Sequence, residues 1–392
     1  MSPAARLRLF YFFYYGAVGA NLPYFAAYLR GLGFGGATIG VVQMFGPAIA
    51  APAALAWAVA ADRLRSPART LRVAATCAFA VSVFLPAMHT PVGVALVLLG
   101  NALFSSALVP LVDSVTMEWA RGRSGASYAG IRLFGSIGFI ATALTLGLAL
   151  DARGDRPADV LVPVVVALCV AALAATAQGL PSAADGHDRP GLRDLLSLLR
   201  DRRLLALLFA CAIHWAACAP FHLLFGVFVR DLGLPSRVTG LAMFAAVGAE
   251  VLALAVFPRL ERRFGLRALF VASFGGTAVR WYLLSRAAAP AAVISIQILH
   301  ALTFGLFWGA SVSAMARTVP PRLRATGQAL FSAVVFGAGN AAGYWLSGVG
   351  YDALGGVRPL YSWAAVLETA LLAWLLARPA LSARFVNDDG TR

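Results

Sequence analysis

Two charged residues set in long apolar runs are the first groups in this sequence that could do chemistry. Asp113 lies in one run and Arg132 in the next, within FSSALVPLVDSVTMEWARGRSGASYAGIRLFGSIGF at residues 104–139. Asp113 stands nine residues before Gly122, in the polar turn between the runs, and Arg132 ten residues after it. If both runs are helices, a rise of 1.5 Å per residue puts both charges roughly 14 Å from the turn, at one depth. A lone charge at the centre of a bilayer costs about 2.5–3.5 kcal/mol or more. Level on adjacent helices, an acid and a base offset each other, so the expectation is an intramembrane ion pair that serves a solute with polar groups or a carboxylate.

A second constellation lies in the C-terminal half. Glu250 is fifteen residues before Gly265 and Arg280 fifteen after it; Arg280 is nine before Ala289 and His300 eleven after. The three therefore share one depth on three consecutive helices, with Gln297 and Thr303 one turn either side of His300 on its face. A buried glutamate beside a base gains or loses a proton with small changes around it, and histidine titrates closest to neutrality. The alternative is a structural network that fixes helix packing. His214, mid-span beside Trp215, is a further substrate-binding candidate. Asn21, Gln43, Asn101 and Asn340 could line a cavity or join helices; Asn21, Gln43, Gln297, Thr303 and Asn340 are the secondary cavity candidates. Glu368 sits mid-span with no level partner. The aromatic run FYFFYYG at residues 10–16 is assigned mainly to packing.

The elements that must position these groups follow from composition. Of the 392 residues 60% are apolar and 12% charged, with a mean hydropathy of +0.78, against about 25% charged in soluble domains. The chain is therefore expected to be an integral membrane protein. The net charge of +15 does not point to nucleic acid, because the arginines fall in short loops between apolar runs. At about 20 apolar residues per crossing, twelve spans are counted: 8–30, 36–61, 70–88, 92–119, 126–150, 159–180, 204–230, 236–258, 266–286, 290–317, 323–350 and 357–379. Arginine is concentrated at the termini and in the even-numbered loops, which puts both termini in the cytoplasm. The longest loop divides the chain into an N-terminal bundle (1–180), a cytoplasmic linker (181–203) and a C-terminal bundle with a short tail (204–392). The linker's second half, LRDLLSLLRDRR, has the pattern of a short surface helix.

The halves echo each other about 200 residues apart: TIG at 38–40 with VTG at 238–240, and YAGIRLFGS at 128–136 with ATGQALFSA at 325–333. A weak repeat of two six-span halves is a transporter pattern, with the site between the halves near the midplane. There is no phosphate-binding glycine loop, no metal spacing among the four cysteines and no nucleophile elbow. An ATP-driven pump, a metalloprotein and an enzyme are all disfavoured.

These features resemble the major facilitator superfamily over nearly the whole chain, in the branch of the lactose, nucleoside and phenylpropionate permeases. PLVDSV at 110–115 and GIRLFGSIGF at 130–139 resemble the stretches carrying that branch's sugar-binding glutamate and arginine, here Asp113 and Arg132. Ser136 and Phe139 stand where a cysteine and a sugar-stacking tryptophan follow. GAE at 248–250, TAVR at 277–280 and LHALTFG at 299–305 resemble its glutamate, arginine and histidine sites. Two departures are clear: Thr303 replaces a carboxylate that carries the coupled proton in the lactose branch, and Gln297 replaces a basic residue. YFFYYGAVGANLPYFAAYL at 11–29 and LHALTFG are more similar to the phenylpropionate group.

The resemblance implies an all-α membrane fold of twelve helices in two pseudo-symmetric six-helix bundles and transport by alternating access. The expectation is proton-coupled uptake of a small organic solute, an aromatic carboxylate of phenylpropionate type, across a bacterial inner membrane. A sugar or nucleoside symporter, an exporter and a non-transporting sensor are the alternatives. Asp113, Arg132, Ser136, Phe139 and His214 would bind substrate, and Glu250, Arg280 and His300 would couple the proton. No cofactor beyond the proton and no partner beyond substrate and lipid is expected, and the resemblance implies a monomer.

Overall fold

The structure, a computed structural model, describes residues 1–63, 66–121, 127–181 and 198–377. Twelve helices are found among the described residues. They are α1 (Pro3–Gly31), α2 (Gly36–Arg63), α3 (Pro67–Ala87), α4 (Pro91–Ala120), α5 (Tyr128–Ala152), α6 (Leu161–Ala177) and α7 (Arg202–Asp231). The stretch Ser236–Arg286 is two helices, α8 and α9, reversed at Gly265 (φ 73°, ψ 162°). α10 (Pro290–Thr318), α11 (Thr326–Leu354) and α12 (Val357–Ala377) complete the chain. Nine helical stretches, with 236–286 counted as one, are long and apolar enough to cross a membrane.

Local chemistry explains most of the ends. Ser2, Ser66, Thr90, Ser127 and Asp201 each accept a backbone N–H of the first turn they precede, satisfying donors that a helix start leaves open. α1 and α7 stop in the same way. Gly33 and Gly233 take positive φ (91° and 69°). Each donates to the carbonyl three residues back, and the next residue donates to the carbonyl five back (Phe34 to Leu29, Leu234 to Val229, both 3.1 Å). This is a glycine-terminated reversal, repeated 200 residues on.

The eighth span was expected to end at 258. It instead stays helical through Arg259, Arg262 and Arg263, and the whole reversal falls on Gly265. Arginines at a helix end need no loop, since their stems extend the head group into water. The Gly265 conformation, in contrast, is open to glycine. The turn expected around Gly122 and the helix expected in LRDLLSLLRDRR fall largely outside the described residues; Asp201 caps α7 directly.

α4 breaks at Ser106–Ala107, between Pro91–Ser105 and Leu108–Ala120, where Pro110 removes a backbone donor three residues before Asp113. α10 departs further from α geometry: residues 296–299 form a 3₁₀ turn and 301–306 a π segment, and α11 has a π segment at 332–339. Such segments are frequent at functional sites.

The apolar core is shared at one end and divided at the other. At the end bearing the odd-numbered connections, one cluster joins both halves, from Phe25 and Leu29 through Leu146 to Phe225, Val238 and Tyr361. Glycines make this contact close: a Cβ on Gly40 of α2 would lie 2.6 Å from the Tyr344 carbonyl of α11, and one on Gly240 of α8 would lie 2.9 Å from the Ala143 carbonyl of α5. At the other end the core splits into an N-half cluster around Leu7, Phe10 and Val112 and a C-half cluster around Leu208, Phe270 and Phe307. Along α9, Arg280 falls between Phe274 of the C-half cluster and Trp281 of the shared one, and along α5, Arg132 falls between Ile131 of the N-half cluster and Ala143 of the shared one.

Candidate substrate site and its buried polar network

The N-half site is built from α1, α4 and α5. Asp113 and Arg132 are both half-buried, but they do not form the expected ion pair: no contact of 4.0 Å or less joins them among the described residues. Tyrosines of α1 separate them. The Tyr11 hydroxyl donates to Asp113 Oδ1 at 2.5 Å, and Tyr128, at the start of α5, lies beside the same carboxylate. Arg132 donates to the Tyr15 hydroxyl, and its guanidinium lies 4.1 Å from the Tyr15 ring centroid and 5.4 Å from that of Tyr11. Helical spacing puts Tyr11 and Tyr15 on one face, and Arg132, Ser136 and Phe139 on another. Ser136 and Phe139 are half-buried on the Arg132 face. The run 10–16 packs in the N-half core as expected, and Tyr11 and Tyr15 in addition hold Asp113 and Arg132. A tyrosine four residues after another in an apolar helix was the sequence signal for it.

The C-half network is continuous. Arg280, with no exposed surface, donates to Gln297 Oε1 at 2.6 Å and meets His300 Nδ1 at 3.0 Å. His300 Nε2 lies 3.3 Å from Glu250 Oε2. Arginine has no lone pair to offer, so Nδ1 accepts and Nε2 carries the proton toward Glu250. His300 is therefore a neutral bridge between a cation and a carboxylate. Phe221 and Trp281 flank the guanidinium at 4.2 and 4.6 Å. Glu250, Arg280 and His300 come together as their level spacing predicts.

Several sequence expectations are corrected here. Gln297 and Thr303 do not line a cavity; both are buried, Gln297 against Arg280 and Thr303 with its hydroxyl 3.1 Å from that of Thr277. His214 is also fully buried, packed on Phe307 with ring centroids 4.1 Å apart, so it cannot touch a solute in this conformation. Glu368 does have a partner: its Oε1 is 2.8 Å from His214 Nδ1. Level counting missed this pair because α7 and α12 are distant in sequence. Asn21, Gln43 and Asn340 are half-buried on α1, α2 and α11, and Asn21 turns a buried Oδ1 that meets no donor among the described residues.

Two six-helix halves with charged groups set among their helices are the pattern of a membrane transporter. The chain matches the MFS_1 like family over residues 4–362 and belongs to it. It is 31% identical to a maltose permease of Geobacillus stearothermophilus over 345 residues, 86% of this chain and 84% of that one. It is 28% identical to a probable 3-phenylpropionic acid transporter of Escherichia coli (strain K12) over 361 residues, 89% and 91% of the two chains. Among solved structures, the nucleoside transporter NupG superposes with a TM-score of 0.83 at 19% identity, covering 96% of this chain and 99% of that one. The protein is a permease-type transporter and not an enzyme.

Proposed function

We propose that the protein imports a small organic anion, an aromatic carboxylate of phenylpropionate type, by proton symport across a bacterial inner membrane. The observation that carries this reading is the state of Arg132. Its charge has no direct carboxylate partner among the described residues and is held by a neutral hydroxyl and two aromatic faces. A solute carboxylate can displace the Tyr15 hydroxyl and form a charge-assisted, two-point contact with the guanidinium, while Phe139 and the tyrosine rings take the aromatic body. Asp113 and Glu250 balance Arg132 and Arg280 in charge, so a bound anion adds one negative charge to the site, and a proton taken up at Glu250 would offset it. The similarity to a probable 3-phenylpropionic acid transporter supports the same solute class.

The halves 1–180 and 204–392 would move as units. With both termini cytoplasmic, the shared core closes the outer side and the divided end opens inward. A maltose-type sugar is the second reading, favoured by the 31% identity to a maltose permease and by acids on both sides of Arg132 that can accept from hydroxyls. Flux into proteoliposomes with an inward proton gradient, using 3-phenylpropionate, maltose and a nucleoside, separates them. Gradient-driven accumulation of 3-phenylpropionate that Arg132→Ala abolishes supports the proposal. Accumulation of maltose alone supports the sugar, and movement only outward overturns uptake.

A further inference from the structure

The buried pair His214–Glu368 is not used by the site described above. It joins α7 to α12 behind the Arg280 network, with no exposed surface on either residue. The histidine's other nitrogen, Nε2, lies 3.0 Å from the backbone carbonyl of Thr303. A carbonyl only accepts, so Nε2 carries a proton. In neutral imidazole Nδ1 is then bare, yet it stands 2.8 Å from Glu368 Oε1. Two lone-pair atoms at that distance, both fully buried, repel, so one of them must hold a second proton. Either an imidazolium faces a carboxylate or an imidazole faces a carboxylic acid; both are the same net-neutral, singly protonated dyad.

The surroundings make that proton consequential. Phe274 and Phe307 cover the imidazole, with ring centroids at 5.4 and 4.1 Å, and Nδ1 and both Glu368 oxygens make no hydrogen bond in favourable geometry, so charge and not an aligned hydrogen bond joins the pair. The other ionised groups set among the helices at the site balance, Asp113 and Glu250 against Arg132 and Arg280. Losing the dyad proton would leave a fully buried, uncompensated carboxylate, which is expensive. The cost falls only if water or a cation reaches Glu368, and that requires the packing of α7, α10 and α12 to change. His214 contacts α10 at the carbonyl of Thr303, inside the π segment 301–306, where the backbone already departs from regular helix. Around the dyad, Cys211 and Cys218 lie one turn either side of His214 on α7 and His222 two turns on, and Cys218 interacts in turn with Arg280 of α9. Of these Cys218 is nearest, with Sγ 3.8 Å from Nε2.

We infer that His214 and Glu368 form an exchangeable proton site, separate from Glu250, whose occupancy is linked to the opening and closing of the two halves. In the closed-core conformation the dyad holds one proton, on His214 or on Glu368. When the halves rearrange, that proton leaves to water and Glu368 becomes a solvated carboxylate. This rests on the transporter reading but not on which solute is carried.

The test needs no substrate. Infrared spectra of the full protein in lipid vesicles would be recorded across a pH series, with spin-label distances across the odd-connection ends measured in parallel. The expected result is a carboxyl and imidazolium signal that titrates in the wild type and is lost in Glu368→Gln. The wild-type distance distribution should shift with pH, and that shift should flatten in Glu368→Gln. His214→Asn serves if Glu368→Gln does not fold. A signal that ignores pH, or an unchanged pH response of the distances in a folded variant, overturns the proposal. Flux of 3-phenylpropionate and maltose into the same vesicles reports separately on the transport reading, so the two can fail independently.

Discussion

The carboxylate of Asp352, in the last turn of α11, accepts from the backbone N–H of Gly36, the first residue of α2, at 2.8 Å. Its second oxygen takes the N–H of Ala37 at 2.7 Å. An acid of the C-terminal half thus caps a helix of the N-terminal half. The repeat reproduces the arrangement in reverse: Asp155, just past α5, accepts from Ser236 N, at the start of α8, at 3.1 and 3.3 Å. Arg237 and Asp151 add an ion pair at 2.9 Å beside it. A carboxylate at a helix N-terminus satisfies open donors and meets the positive end of the helix dipole. Both caps exist only while the odd-connection ends of the halves are together.

Removing these caps should therefore loosen one conformation rather than unfold the protein. A lost cap costs about 0.5–2 kcal/mol, which corresponds to a shift of roughly 2- to 30-fold in the closed-to-open ratio. Asp352→Ala and Asp155→Ala should each lengthen spin-label distances across this end, and the double variant should do so more than either. Unchanged distances would show that the apolar contact alone holds the ends.

Overpacking the same end should act in the same direction. A side chain at Gly40 meets the Tyr344 carbonyl of the opposite half, and forcing extra volume into such a contact costs about 1–3 kcal/mol. Gly40→Val should reduce the closed population and slow net flux, while leaving melting of the C-terminal bundle close to wild type.

At the N-half site, Arg132→Ala should raise the KM for a carboxylate solute by about 10- to 150-fold, the equivalent of one charged hydrogen-bonded contact of about 1.5–3 kcal/mol. Arg132→Lys should recover little of this, because an ammonium cannot make the planar two-point contact. Binding by calorimetry or by counterflow reads both. Equal affinity in Arg132→Ala would remove the anion site from this position.

His300 should tolerate a neutral bridge. His300→Gln keeps an acceptor for Arg280 and a donor for Glu250, so it should retain most transport. His300→Ala strands a buried donor, at about 1–3 kcal/mol, and should lose at least several-fold. Equal loss in both variants would mean that the imidazole itself titrates in the cycle.

In the α5–α6 connection, burial works against the Asp159 charge. The Arg153 guanidinium at 2.7 Å, the Leu161 N–H at 2.9 Å and nearby Arg156 outweigh it and hold the carboxyl below its usual range. A lowered folded-state pKa stabilises above the unfolded value, about 3.9, and that contribution disappears as pH falls through the lower folded value. Asp159→Asn should lower Tm slightly at neutral pH, and the difference from wild type should close in acid.

The division between sequence and structure is clear in particular residues. Asp113, Arg132, Glu250, Arg280 and His300 were legible because charge inside apolar runs is expensive and depth along a helix can be counted from the turns. The twelve helices and the half-chain repeat follow from the same kind of reading, while the paired stops at Gly33 and Gly233 emerged only in the structure. Helix rotation and helix neighbours cannot be counted this way. Only the tertiary structure put Tyr11 and Tyr15 on Asp113 and Arg132, buried His214 against Phe307 and gave Glu368 its partner. A position along the helix axis is set by the sequence itself, at 1.5 Å per residue. Which side chains meet across an interface is decided by how twelve helices pack, and α7 meets α12 more than a hundred residues later in the chain.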